Sequence, residues 1–156
     1  MARGQTLTDR LRGQHADFRT LLDAMETARG GEGAAAALRR LLPLLAAHER
    51  LERRLLYPAL LAHGEGIDPR LIASFEDEHK QVHDKLAALR AALGARDSEL
   101  GRLVAVAEFV GLLREHLEDE EQTLFPLVEG RVPRATLVEL ASLAEEQAAA
   151  HTGRAR

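Results

Sequence analysis

Two stretches of this chain carry residue types that could do chemistry: HERLERRLLYP at 48–58 and HLEDEEQTLFP at 116–126. Each opens on a histidine, places a glutamate four residues later, and closes on an aromatic residue and a proline. On a helix, positions i and i+4 share one face, so each stretch sets an imidazole beside a carboxylate. At a surface such a pair is an ordinary side-chain interaction. In an interior, the same two groups are ligands for a cation.

The other histidines lie at 15, 63, 79, 83 and 151. Turn signals place them on helices or outside them. RGGEG (29–33), HGEGIDP (63–69), GARDS (94–98) and EGRVP (129–133) collect the glycines, prolines and small polar residues that end helices. Between them the spacing predicts helices over about 6–28, 34–62, 69–93, 98–128 and 134–150. Thr8 or Asp9, Asp68 with Pro69, and Ser98 serve as start signals. Short connections make successive helices antiparallel neighbours. The expected fold is all-α: an up-down four-helix bundle over 1–130 with an additional C-terminal helix and tail over 131–156.

The apolar stripes then locate the histidines. They read Leu7, Leu11, His15, Phe18, Leu22, Met25 on the first helix and Leu38, Leu41, Leu45, His48, Glu52, Leu55 on the second. The third gives Ile72, Phe75, His79, Val82/His83, Leu86, Leu89, Leu93, and the fourth Val106, Phe109, Leu113, His116, Glu120, Leu124, Leu127. Every step is three or four residues, the period of one helix face. Five histidines (His15, His48, His79, His83, His116) and two glutamates (Glu52, Glu120) are thereby expected at one level of the core. His63 falls in a loop and His151 in the tail, both expected in solvent.

One buried histidine is usually a core residue bonded to a carbonyl, and a network of histidinium–glutamate pairs that fixes helix register is the rival explanation for several. Two buried carboxylates without a compensating cation would cost several kcal/mol each, however, and a metal cluster uses every group. Imidazole and carboxylate without thiolate suit iron, manganese, zinc or copper. Seven ligands exceed what one ion takes and match two ions bridged by Glu52 and Glu120. A shift of 68 superposes His48 on His116, Glu52 on Glu120, Tyr57 on Phe125, Pro58 on Pro126 and His15 on His83, so the chain reads as two copies of a helical hairpin. His79 is unmatched under that shift. Its pairing with His83 and His116 on one ion leaves His15 and His48 on the other, where an open position is expected.

Composition excludes several other functions. The 156 residues carry a net charge of −4, no cysteine and 3% aromatics. Disulfides, thiolate metal sites and cysteine nucleophiles are ruled out. Interleaved acidic and basic residues give no stripe for nucleic acid, and no apolar run nears the roughly 18 residues of a membrane span. No signal peptide is read at the start, so a cytoplasmic protein is expected, as monomer or homodimer, without nucleic-acid or membrane partners.

His15, HERLE…YP, EHKQVH and HLEDE…FP together resemble the hemerythrin-like, or HHE cation-binding, family over about residues 6–128. The resemblance implies two iron ions joined by an oxo or hydroxo bridge and a reversibly bound dioxygen. It implies that His79, His83 and His116 hold a six-coordinate iron, and that His15 and His48 hold a five-coordinate one, with Glu52 and a fourth-helix carboxylate bridging. Manganese or zinc fit the same donors. The oxygen carriers place an aspartate five residues after the fourth-helix histidine; this chain has Glu120 at plus four and Glu121 at plus five, Glu120 being favoured as the repeat mate of Glu52. The expected function is binding, storage or sensing of dioxygen or a related small ligand. The alternative is a di-iron enzyme acting on peroxide, nitric oxide or a small organic substrate, which needs proton donors. Arg19, Glu76 and Thr123 are the candidates, the first two reading better as rim salt bridges.

Overall fold

A computed structural model describes residues 4–95 and 98–153. Among them there is no strand. Helix α1 spans Leu7–Thr27 and is followed by α2 at Glu32–Leu51, a five-residue π-helical turn at Glu52–Leu56 and α3 at Tyr57–His63, which form one continuous rod. Helix α4 covers Arg70–Gly94. A second rod joins α5 (Glu99–Asp119), a π-turn (Glu120–Leu124) and α6 (Phe125–Arg131), and α7 runs Arg134–Gly153. These are the five helices expected, with the fourth extending into the stretch read as a turn at 129–131.

The start signals lie close to those expected. Thr6, rather than Thr8 or Asp9, caps α1: its hydroxyl accepts from the Asp9 N–H, and Asp9 accepts from the Thr6 N–H in return. Pro69 precedes α4, with the Asp68 carboxylate accepting from the Arg70 N–H. Ser98 caps α5 through the Gly101 N–H.

Helix α1 packs on α2 and α5, α4 packs on α5, α3 on α6, and α7 lies along α1. The backbones of α2 and α4 approach each other less closely, and side chains span that seam. Arg53 donates to Glu76 at 2.8–3.0 Å and His83 to Glu49 at 2.9 Å.

Buried apolar residues form two clusters rather than one. One gathers Phe18, Leu22, Met25, Leu41, Leu45, Val82, Leu89, Phe109 and Leu113. The other gathers Leu7, Leu11, Leu56, Tyr57, Leu60, Phe75, Leu124, Phe125 and Leu137. The clusters fall on opposite sides of one level: Leu11 and Phe18 flank position 15 on α1, and Phe75 and Val82 flank position 79 on α4. A polar layer therefore divides the core.

The π-turns revise the expected stripes. Each adds one residue to a helical turn, closed by bonds from the Tyr57 N–H to the Glu52 carbonyl and from the Phe125 N–H to the Glu120 carbonyl. After the insertion the buried face moves one position along the sequence. Leu56 and Val128 are fully buried where Leu55 and Leu127 were expected, and those two are only partly covered. Pro58 and Pro126 follow immediately, and a proline inside a regular helix lacks an N–H and clashes with the carbonyl four residues back; a widened turn eases that clash.

Leu137 on α7 is 2% exposed and belongs to the second cluster. Leu137→Ala is expected to lower unfolding stability by about 2–5 kcal/mol, measured by urea denaturation; a change below about 0.5 kcal/mol would mean that α7 does not dock as described.

Candidate metal centre

Six of the seven expected residues meet in the polar layer. His15, His48, Glu52 and Glu120 are 0% exposed, His79 is 1% and His116 is 4%. His15 comes from α1, His48 from the end of α2, His79 from α4 and His116 from the end of α5. The two glutamates open the two π-turns.

The donor atoms are arranged in two halves. On one side, the Nε2 atoms of His15 and His48 lie 3.2 Å apart, with Glu120 Oε2 at 3.0 and 3.5 Å and Glu52 Oε1 at 3.3 Å from His48. On the other, His116 Nε2 lies 2.9 Å and His79 Nε2 3.7 Å from Glu120 Oε1, and Glu52 Oε2 is 3.1 Å from His79. Each carboxylate thus presents one oxygen to each half.

These spacings are not those of a satisfied hydrogen-bond network. Both oxygens of Glu52 and of Glu120, and the Nε2 atoms of His79 and His116, lack a hydrogen-bond partner of proper alignment despite being buried. With both Nδ1 atoms donating outward, the neutral rings of His15 and His48 bring their Nε2 lone pairs face to face at 3.2 Å. Ligand atoms about 2.0–2.2 Å from one ion stand about 3.0–3.5 Å from each other, and the separations here run from 2.9 to 3.7 Å around that value. The triads His15–His48–Glu120 and His79–His116–Glu120 could each hold a metal ion. The residues present fit a metal pair.

A second layer holds the rings. The Nδ1–H of His15 donates to Glu121 Oε1 at 2.8 Å, His48 to Gln14 Oε1 at 2.8 Å, and His116 to Glu78 Oε2 at 2.7 Å; Glu76 stands 3.5 Å from His79 Nδ1. With the outer nitrogen donating, a neutral ring turns its Nε2 lone pair inward. Glu121 therefore lies outside the ring of donors, while Glu120 lies inside it. Arg19 grips Glu121 with two bonds of 2.9 and 3.0 Å, and Glu76 is held by Arg53, so both candidates act as supports at the rim. Thr123 is exposed and does not face the layer.

His83 departs from expectation. Its side chain is 48% exposed and bonds Glu49, away from the other donors. Val82, 1% exposed, takes the core position one residue earlier. The repeat explains this. The structural mate of His15 is His79, a shift of 64 (79 − 15), whereas the second helix of each hairpin keeps the shift of 68 (116 − 48). The 64-residue pairing superposes Leu11 on Phe75, Phe18 on Val82, Leu22 on Leu86 and Met25 on Leu89, all buried. Helix α4, with 25 residues against 21 for α1, carries one extra turn. His83 is then the mate of Arg19, another surface residue paired to a carboxylate. Each half receives two histidines rather than three and two. His63 and His151 are exposed, as expected.

The supporting layer was not read in the sequence. Its signal is adjacency: Gln14 precedes His15 and serves His48, and Glu78 precedes His79 and serves His116. The layer's walls are unequal. The Phe18 ring lies 5.2 Å from His48 and 6.2 Å from His15, and the Phe125 ring lies 5.3 Å from His15. Val82 is the smaller mate of Phe18, and beside it a surface cavity of about 420 Å³ reaches His116, lined by Asp77, Glu78, Glu115 and Asp119. Tyr57, the mate of Phe125, is 4% exposed, and its hydroxyl has no partner among the described residues. Burial first, and then the charges of Glu52 and Glu120, push its phenol far above the ordinary range.

This is a cation-binding helical bundle built from inward-facing histidines and glutamates. Residues 6–128 match the hemerythrin HHE cation-binding domain, and the chain belongs to that family. No curated protein and no solved structure matches it. No helix among the described residues is long and apolar enough to cross a membrane.

Without metal, burial disfavours charge on His48, His79 and His116, but the adjoining carboxylates outweigh it and raise them to about 10, 9 and 10. Burial likewise opposes charge on Glu120, and the surrounding imidazoles hold it well below its ordinary value. The three raised histidines stabilise the metal-free fold fully below about pH 6.5. That contribution declines above it and is gone once pH passes 9–10. Denaturant melts of the metal-free protein should therefore lose stability from pH 7 to 10. Metal uptake at pH 7 should release protons from these rings, seen as a buffer-dependent heat in calorimetry; a buffer-independent heat would contradict the pairing.

Proposed function

We propose that this chain holds two iron ions and takes up dioxygen, or a related small ligand, for binding, storage or sensing. The observation that carries the reading is the placement of Glu52 and Glu120, each with one oxygen beside either pair of histidine nitrogens. Two cations held among these groups would offset both buried negative charges and engage every buried carboxylate oxygen. The nitrogen and oxygen donor set without thiolate suits iron, as does helix-borne His and Glu in a bundle core. Bound iron would supply reversible electron transfer and an exchangeable coordination position. The chain's part is to orient and to exclude water. Gln14 and Glu121 fix the rings of His48 and His15, and Arg19 fixes Glu121. Phe18 and Phe125 wall that half with rings that carry no ionisable proton. A proton-poor pocket of this kind disfavours release of a reduced ligand, and the small ligand is assigned to the His15–His48 side.

The acid-lined cavity at His116 supports a second reading, an enzyme acting on peroxide, nitric oxide or a small organic substrate. Glu78 touches His116 and faces that cavity, so protons have a route to the other half.

The two readings separate on one experiment. Protein loaded anaerobically with ferrous iron and then exposed to air should develop a visible charge-transfer band that disappears again under argon. Prompt, irreversible conversion to the ferric form with turnover of added peroxide would favour the enzyme. Metal analysis tests the site itself: two irons per chain are expected for the parent and for His83→Ala. Glu52→Ala should lose both, and full retention by that variant would refute the bridging assignment.

A further inference from the structure

Once His83 is placed at the surface, the two halves of the site match in histidines, and the inequality lies elsewhere. Phe125 packs against His15 at 5.3 Å between rings. Under the internal repeat Tyr57 replaces Phe125 and His79 replaces His15, so the symmetric place for the Tyr57 ring is beside His79. Tyr57 follows Glu52 by a single π-turn, its N–H bonded to the Glu52 carbonyl. It lies in the apolar cluster directly beneath the polar layer, with Phe75 and Leu11. A buried hydroxyl almost always finds a partner. This one bonds neither Glu52 nor Glu120, although both have oxygens that lack a donor.

We propose that the Tyr57 phenol oxygen is a fifth protein donor to the ion held by His79, His116, Glu52 and Glu120. The assignment rests on the two-metal reading above. Coordination exchanges the phenolic O–H bond for an oxygen–metal bond, and the proton leaves to bulk water with no electron transferred. The cation's charge stabilises the phenolate that burial and the carboxylates otherwise oppose. Phe125 offers nothing equivalent to the other ion. That ion is left with four protein donors, so the vacancy falls on the His15–His48 side for a reason unrelated to histidine count.

The test uses the full chain and Tyr57→Phe, which copies the residue already present at the related position. Both proteins are loaded with ferrous iron, oxidised in air, and compared by metal content, circular dichroism, visible absorption and resonance Raman scattering. The expected result is equal helicity and two irons in each, with tyrosinate ring modes enhanced in a phenolate-to-iron charge-transfer band of the parent only. Parent and variant with two irons and the same spectrum would overturn the role of Tyr57 and leave the metal centre standing. A hydroxyl that only donates a hydrogen bond gives that outcome too. Failure of both proteins to take up iron would overturn the metal centre and this assignment together.

Discussion

Two carboxylates and four imidazoles in the dry centre of a small bundle set the terms for the rest of this structure. An isolated buried carboxylate costs several kcal/mol, and here two lie side by side, fully buried. In the metal-free chain, imidazolium protons offset that charge in part. The buried oxygens of Glu52 and Glu120 still lack aligned donors, and only a compact positive charge between them engages all of them at once. The apolar core gives way accordingly, split into a cluster on either side of the layer. Those clusters carry the folding energy that the layer between them does not supply.

Around the layer, the second ring of residues determines direction. A histidine on a helix can rotate about two side-chain torsions, so a bundle alone does not decide which nitrogen faces inward. Gln14, Glu78 and Glu121 decide it by accepting from Nδ1. Arg19 and Arg53 in turn hold Glu121 and Glu76 near the surface. At His15 and His79 the arrangement reads outward from imidazole to carboxylate to guanidinium. The near two-fold repeat duplicates one of these supports, Gln14 on His48 and Glu78 on His116. Its exceptions, Phe18 against Val82 and Phe125 against Tyr57, are what allow two otherwise equivalent halves to differ in access and polarity.

Much of this was legible in the sequence because periodicity and burial are the same information on a helix. The five helices, the polar layer and six of its members follow from residues spaced three or four apart. His83 shows the limit. Positions 82 and 83 both lie within reach of the core face, and periodicity alone does not choose between a valine and a histidine. The hydrophobic term does, by burying Val82 and sending an imidazole to a nearby carboxylate on Glu49. The repeat has two registers for a related reason: α4 holds an additional turn, so a single shift does not superpose both helices of the hairpin. The π-turns left only an indirect mark, the prolines at 58 and 126. Glu78, Gln14 and Glu121 serve rings on other helices, and such pairings are invisible until the helices are placed side by side.

The π-turns have a mechanical consequence. One additional residue offsets the helix beyond it by about 100° relative to an uninterrupted α-helix. The half-rods Tyr57–His63 and Phe125–Arg131 are thereby freed from the rotational phase of the segments carrying His48 and His116. Ligand geometry and end-packing make separate demands on a rod, and an unbroken helix would have to satisfy both with a single azimuth. The widened turn acts as a vernier between them: substitutions that re-seat the lower end of the bundle need not twist the donors above it.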